Sequence, residues 1–365
     1  MVALAARVSP TLLDEIVEEI LIRVPPDHPA CLFRAALVCK HWARLLADRS
    51  FRRQYRERHG GLPPLLGFLA NIFTTSGSAR FVPTLAFSPA RARHRNYRAH
   101  DAHYGRVLLN WITWGGHGVA QAQDDALAVW DPVTDELRPL PLLLRLQQVR
   151  SWNAAVLCAA PACDHLGCHP GNFLVAFVSI DAKEMFAHVY SSEAEAWGAA
   201  TSAQLPGDHL DDALPSALAR NALYFMFQMG YRMLKYDLAT RKLSLVSLPK
   251  RPYAWRLMTV EDGGLGFAEV DSQFTLKLWS METGPEAEGH AGKWAVSRAI
   301  DLSTQLPFPA LGAPPFVVAF ADIVGVIFLK TTGGLYTFDL KTGQSIRVMT
   351  DYFYDIIPYV SFYTP

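Results

Sequence analysis

Between residues 12 and 24 the apolar positions Leu12, Leu13, Ile16, Val17, Ile20, Leu21 and Val24 return every three to four residues, and Asp14, Glu15, Glu18 and Glu19 fill the gaps. That period belongs to an amphipathic helix with one face to bury. Thr11 with Asp14 offers a capping-box-like start, and Pro25-Pro26 ends the run. A second helix is expected from Asp27 as its cap, with Pro29 in the first turn, through Leu32, Phe33, Ala36, Leu37 and Val38. After Cys39-Lys40-His41, helical spacing puts Trp42, Leu45 and Leu46 on one stripe. Asp48 then stands where it caps a further short helix closed by Gly60-Gly61. Three or four short helices in some fifty residues enclose little core, so such a module is expected to lean on a partner.

Beyond Leu62-Pro63-Pro64 the helical period gives way to short apolar strands bounded by turns. Three segments repeat one phrase: Leu127-Ala128-Val129-Trp130-Asp131-Pro132-Val133-Thr134, Met233-Leu234-Lys235-Tyr236-Asp237-Leu238-Ala239-Thr240 and Leu335-Tyr336-Thr337-Phe338-Asp339-Leu340-Lys341-Thr342. Each reads as a strand ending in an aromatic residue, then an Asp that accepts backbone N–H bonds in a turn, with Gly343 free to take positive φ. Looser copies centre on Tyr190 and Trp279. An earlier strand is expected to pair with each copy, as at 105–109, 221–225, 264–267 and 323–327. A period near 50 residues implies kelch-like propeller blades, because one blade cannot bury both of its faces alone. Counting 66–85 as an extra, partial blade gives about six; a twisted sandwich of the same hairpins is the alternative.

Composition narrows the class. Of 365 residues 50% are hydrophobic and 19% charged, with zero net charge, which excludes a disordered or nucleic-acid-coating chain. Residues 1–60 hold 10 Lys/Arg against 7 Asp/Glu, too small an excess for a polyanion partner. The cluster Arg49, Arg52, Arg53, Arg56 and Arg58 reads as the solvated side of a helix. Five cysteines in no regular framework, and no signal-peptide pattern, point to a reducing compartment, cytoplasmic or nuclear. The most apolar window, 315–329, is too short for a membrane span and contains Asp322.

The run from Leu12 to Pro25 resembles the opening of the F-box, and Leu37-Val38-Cys39-Lys40-His41-Trp42-Ala43-Arg44-Leu45-Leu46 resembles its second half, with Phe51 where an aromatic residue is expected. The hairpin phrases and the closing segment 357–365 are similar to the F-box-associated β domains of grass F-box proteins. The resemblance implies an α+β multidomain chain: an all-α F-box at 9–58, a linker at 59–65 and an all-β propeller-like domain at 66–365. It further implies that Leu12, Leu13, Ile16, Val17, Ile20, Leu21, Val38, Cys39, Trp42 and Leu45 bind a Skp-family adaptor and, through it, a cullin scaffold. The β domain would then hold a target protein for a ubiquitin ligase, with no nucleic acid or membrane among the partners. Leu13 stands where the family usually has Pro, which leaves a propeller scaffold with a vestigial F-box as the alternative.

Candidate chemistry is sparse. Cys158, Cys163, His165, Cys168 and His169 include zinc-type ligands, but their spacing lacks a second tight pair, so no metal is expected. His94, His100 and His103 among Arg91, Arg93, Arg95 and Arg98 read as a solvated loop. Gly115-Gly116-His117-Gly118 lacks the Lys and helix of a phosphate loop, and no nucleophile elbow or separated acid–base pair is present. The sequence therefore predicts a protein without a cofactor or bond chemistry of its own. Trp111, Trp114, Trp152, Trp255 and Trp294 are read first as blade packing and second as a recognition surface.

Overall fold

The computed structural model describes residues 13–26, 28–73, 77–112, 126–143, 149–160, 171–181, 184–204, 209–249, 255–260, 262–282, 293–307 and 310–361. Four short helices come first: α1 (Asp14–Leu21), α2 (Pro29–Val38), α3 (Lys40–Ala47) and α4 (Arg49–Arg58). Their caps are local. Asp48 Oδ1 accepts the backbone N–H groups of Ser50 at 2.7 Å and Phe51 at 3.3 Å, which opens α4 as expected. Gly60 and Gly61, at φ 83° and 75°, close it in the left-handed region. The residue at the cap of α2 is His28, which makes no side-chain cap bond; Asp27, expected there, lies outside the described residues, as does Thr11.

Val17, Leu21, Ile22, Leu32, Ala35, Leu46, Phe51 and Tyr55 form the core of this helical region. Long-range bonds lock it, with Tyr55 Oη donating to Val24 O at 2.9 Å and the His59 ring meeting Ile22 O at 2.9 Å. The Arg52 and Arg56 side chains turn back onto the main chain, to Leu46 O and Gly61 O.

The rest of the described chain is mostly strand. β1 (Leu65–Phe73), β2 (Gly77–Pro83) and β3 (Arg93–Arg95) begin the first sheet. The second holds β4 (Tyr97–His103), β5 (Arg106–Trp111), β6 (Leu127–Trp130) and β7 (Leu137–Pro139). The third holds β8 (Ser151–Cys158), β9 (Phe173–Ile180) and β10 (Met185–Ser191), with β11 (Ala196–Trp197) and β12 (Thr201–Ala203) both on β10. The fourth is β13 (Ala217–Ala219), β14 (Ala222–Met226), β15 (Arg232–Asp237) and β16 (Lys242–Ser247). The fifth is β17 (Arg256–Thr259), β18 (Leu265–Val270), β19 (Thr275–Glu282) and β20 (Lys293–Asp301). The sixth is β21 (Phe316–Ala321), β22 (Val326–Thr331), β23 (Gly334–Asp339) and β24 (Ser345–Met349). Finally β25 (Asp355–Val360) returns to pair antiparallel with β1.

Six separate antiparallel sheets whose first strands neighbour one another make a six-bladed propeller, not a sandwich. The segment 66–85, expected to be a partial blade, belongs to a complete one, because β25 supplies its innermost strand.

The repeated phrase folds as its chemistry dictates. Asp131, Asp237 and Asp339 each accept a backbone N–H two or three residues on, at 2.9, 2.8 and 2.7 Å respectively. Four residues past the aromatic-plus-one position the chain takes positive φ, at Asp135, Glu195, Arg241 and Gly343. Ser191 takes the Asp role in the copy at Tyr190, accepting from Ala194 N. Trp279 differs: it sits in the middle of β19 rather than at its end. Trp130, Tyr190, Tyr236 and Phe338 are buried between blades.

Candidate functional site

Two places in the molecule combine exposure or cavity with unusual chemistry. The first is the surface of the helical region. Leu13, Ile16 and Ile20, at a spacing of three and four, form the outer face of α1 and are 67%, 45% and 53% exposed. Leu37 and Val38 at the end of α2 are 83% and 63% exposed. His41 Nε2 meets Asp14 Oδ1 at 2.9 Å, which brings the corner between α2 and α3 beside the start of α1.

The residues expected to bind an adaptor therefore divide. Leu13, Ile16, Ile20, Val38 and Cys39 are exposed; Trp42 and Leu45 are half-buried against the helical core; Val17 and Leu21 are inside it. Leu12 lies outside the described residues. Cys39 also has a local task, since its Sγ accepts the Trp42 N–H and caps α3. Leu37, the most exposed of these apolar side chains, was not among the expected contacts, although its place three residues after Arg34 on α2 puts it on the exposed side.

The second place is the propeller axis, where the innermost strands bring distant charges together. At the end where these strands begin, Arg98 bonds Asp212 Oδ2 at 2.8 Å and Asp355 Oδ2 at 2.7 Å. Asn71 donates to the other oxygen of Asp355 and to Ala99 O, and accepts the Ala99 N–H. Burial opposes charge on Arg98, yet the two carboxylates override it and raise its pKa. Burial of Asp355 raises its pKa in spite of Arg98. The cluster ties β1, β4 and β25 to the segment before β13.

At the other end, Asp101 Oδ2 accepts from Val156 N at 2.9 Å and meets His103 Nδ1 at 3.0 Å. Burial works against charge on His103, but Asp101 outweighs it and raises the ring's pKa. Thr259 Oγ1 lies 2.8 Å from Leu218 O and 2.7 Å from Asp322 Oδ2. The hydroxyl has one proton to donate between the two acceptors. Burial pushes Asp322 up to about 6, although hydrogen bonds from Thr259 favour its charged form.

A cavity of about 910 Å³ is lined among others by Ser216, Leu218, Arg256, Met258, Asp322 and Pro358.

Of the histidines expected in a solvated loop, His94 and His100 are instead buried on strands, and His103, the last residue of β4, is half-buried. His94 on β3 packs edge-on against Trp130 with ring centroids 4.1 Å apart, and burial takes its pKa down to about 4. His100 on β4 meets Asn110 Oδ1 at 2.9 Å, and burial, aided by Arg98, takes it down to about 3. The scarcity of apolar residues misled here, because β4 is an inner strand whose buried positions include Arg98, His100 and Asp101. Of the cysteine–histidine cluster only Cys158 lies among the described residues, half-buried; Cys163, His165, Cys168 and His169 do not, nor do Trp114 and 115–118. Trp255 is buried, stacked on Phe267 with centroids 3.8 Å apart, while Trp111, Trp152 and Trp294 are half-buried. No described helix is long and apolar enough to cross a membrane.

Comparison with known proteins bears on the helical region. The F-box domain model matches residues 11–54. No curated protein matches the chain. Among solved structures, a luciferin-regenerating enzyme is 12% identical over 74% of this chain and 85% of that one, with a TM-score of 0.34. The PQQ-bound aldose sugar dehydrogenase of Streptomyces coelicolor is 15% identical over 78% and 85%, TM-score 0.36. AztD of Citrobacter koseri is 9% identical over 80% and 97%, TM-score 0.36. Likenesses this distant carry nothing about activity. The chain is thus an F-box domain, matched at residues 11–54, followed by a six-bladed β-propeller.

Proposed function

We propose that this protein is the substrate-recognition subunit of a Skp-cullin-F-box ubiquitin ligase. F-box domains bind a Skp-family adaptor and, through it, a cullin; the observation that carries the reading is the apolar surface that the F-box leaves uncovered. Leu13, Ile16, Ile20, Leu37 and Val38 are large apolar side chains crowded into 26 residues and left facing water. Burying such a side chain is worth about 1.5–3 kcal/mol, so together they supply the core of a stable interface once a partner's helices cover them. Val17 and Leu21 hold α1 to its own core and act on the adaptor only by positioning that face.

The propeller would then hold the target. Its contribution is proximity: a target lysine held beside the ubiquitin-bearing enzyme reacts at a raised effective concentration, with no bond chemistry in the receptor. The kelch-like type of the blades, the plant-type affiliation, the limits 9–58, 59–65 and 66–365, and a cytoplasmic or nuclear setting belong to this proposal and rest on the sequence resemblance.

Co-purification of the full chain with a Skp-family adaptor tests it. Ile16→Asp with Ile20→Asp should lower adaptor affinity at least about 100-fold while leaving the circular dichroism spectrum intact, because both residues are exposed before binding. Equal adaptor binding by wild type and the double variant would remove the ligase reading and leave a propeller scaffold with a vestigial F-box.

A further inference from the structure

The uncovered apolar corner at the end of α2 is bordered by cations. Residues 28–47, which include all of α2 and α3, contain Arg34, Lys40 and Arg44 and no Asp or Glu. All three cations are exposed. Arg34 stands three and four residues before Leu37 and Val38, so these side chains share one side of α2. Lys40 follows Val38 by two residues, and Arg44 follows Lys40 by one turn on the exposed side of α3.

Among the described residues none of these three side chains makes a hydrogen bond or ion pair. Carboxylates of the same helical region are engaged elsewhere: Asp14 with His41 at 2.9 Å, Glu19 with Arg23 at 2.6 Å, and Asp48 with backbone N–H groups of α4.

The arrangement is unfavourable for the free protein. Lys40 and Arg44 are like charges one turn apart, and Lys40 is the first residue of α3, where the helix dipole opposes a cation and no acid occupies the first turn. A solvated helix face normally mixes charges of both signs. This stretch departs from that rule beside the very surface that leaves water when a partner binds.

Resting on the adaptor reading above, we propose that the adaptor surface covering Leu37 and Val38 is acidic, with Asp or Glu side chains that meet Arg34, Lys40 and Arg44. Leu37 and Val38 then supply the desolvated centre of this part of the interface and the three cations its rim. Rim charges act mainly by steering encounter, so their effect belongs to the association rate. They also fix orientation, because the other part of the apolar surface, on α1, is edged by Glu15 and Glu19. A partner turned end for end would bring carboxylate against carboxylate.

The test is the association rate of a purified Skp-family adaptor with the full chain in NaCl from about 25 to about 400 mM, across which the screening length shrinks from roughly 20 to roughly 5 Å. The rate should fall at least about 10-fold over that range, with dissociation changing less than about 2-fold. The triple variant Arg34→Glu, Lys40→Glu, Arg44→Glu should associate at least about 10-fold more slowly in low salt and lose the salt dependence. Should it fail to fold, the wild-type salt series and the single variant Arg44→Glu, expected to slow association about 3-fold, decide. Lys242→Glu, on the outer strand β16, should leave the rate as it is; equal slowing by it would assign the effect to net charge and remove the proposal. Adaptor binding that ignores both salt and the charge reversals sinks the proposal and leaves the ligase reading intact. No adaptor binding at any salt concentration sinks both. Capture of polyuridylate by the wild type, lost in a triple variant that still binds the adaptor at the wild-type rate, would give the cations to a polyanion and overturn the proposal as well.

Discussion

Leu13 has φ −61° and ψ 144°, an extended backbone that proline also adopts. The residue that departs from the usual F-box pattern thus already has the geometry that proline would impose. Leu13→Pro should raise unfolding stability by about 0.5 kcal/mol through the unfolded chain's lost freedom, read as a higher urea midpoint, and should leave adaptor affinity unchanged or tighter. A destabilised variant would show that the Leu side chain or its N–H is needed.

Buried ionisable residues make the second residue-scale prediction. His94 and His100 have pKa values lowered to about 4 and 3, so the stability they contribute as neutral rings is present above pH 6.5 and lost as pH falls toward those values. Asp322 works oppositely: with its pKa raised to about 6, its contribution is present below pH 3.8 and lost as pH rises through 6. Asp322→Asn should therefore stabilise the protein by about 1–2 kcal/mol at pH 8, little at pH 4, and flatten the thermal-melting profile between. An equal gain at both pH values would assign the effect to packing instead of charge.

At the scale of the element, the turn between the third and fourth strands of a blade is the most legible feature of the propeller. Asp339 accepts the N–H groups of Lys341 at 2.7 Å and Thr342 at 3.0 Å, and Gly343 follows at φ 72°. A Cβ on Gly343 would stand 3.2 Å from Gln305 Oε1, in a backbone region that L side chains disfavour. Gly343→Ala should cost about 1 kcal/mol and Asp339→Ala about 1–2 kcal/mol, measured by chemical denaturation. Arg241, at the same place in another blade with φ 54°, should conversely gain stability when changed to Gly.

These turns were visible in the sequence because each is a contract among four or five neighbouring residues. The Trp279 copy was deceptive for the complementary reason. An aromatic residue on a strand repeats by burial alone, and the position after Trp279 is Ser280, still inside β19, instead of a turn aspartate.

For the whole molecule, closure is the decisive event. β25 gives the first blade its innermost strand and places Asp355 between Arg98 and Asn71, so the last described strand locks onto the first. A chain ending at residue 354 should lose cooperative unfolding and expose β1 as an unpaired edge, seen as aggregation and a broadened thermal transition. A sharp, unshifted melt in that truncated chain would show that the other five blades stand without closure.

The one-dimensional pattern was enough to settle local matters: the helix α1, the Asp48 cap, the Gly60-Gly61 stop, the aspartate turns, and the succession of helices then blades. Each depends on residues within a few positions of one another, where spacing is geometry. The axis was decided only in three dimensions. Arg98, Asp212 and Asp355 are far apart along the chain, yet they meet in one largely buried cluster. Polar residues on an inner strand look like a solvent-facing loop until six sheets close around them, because burial there is created by the ring and not by any segment of it.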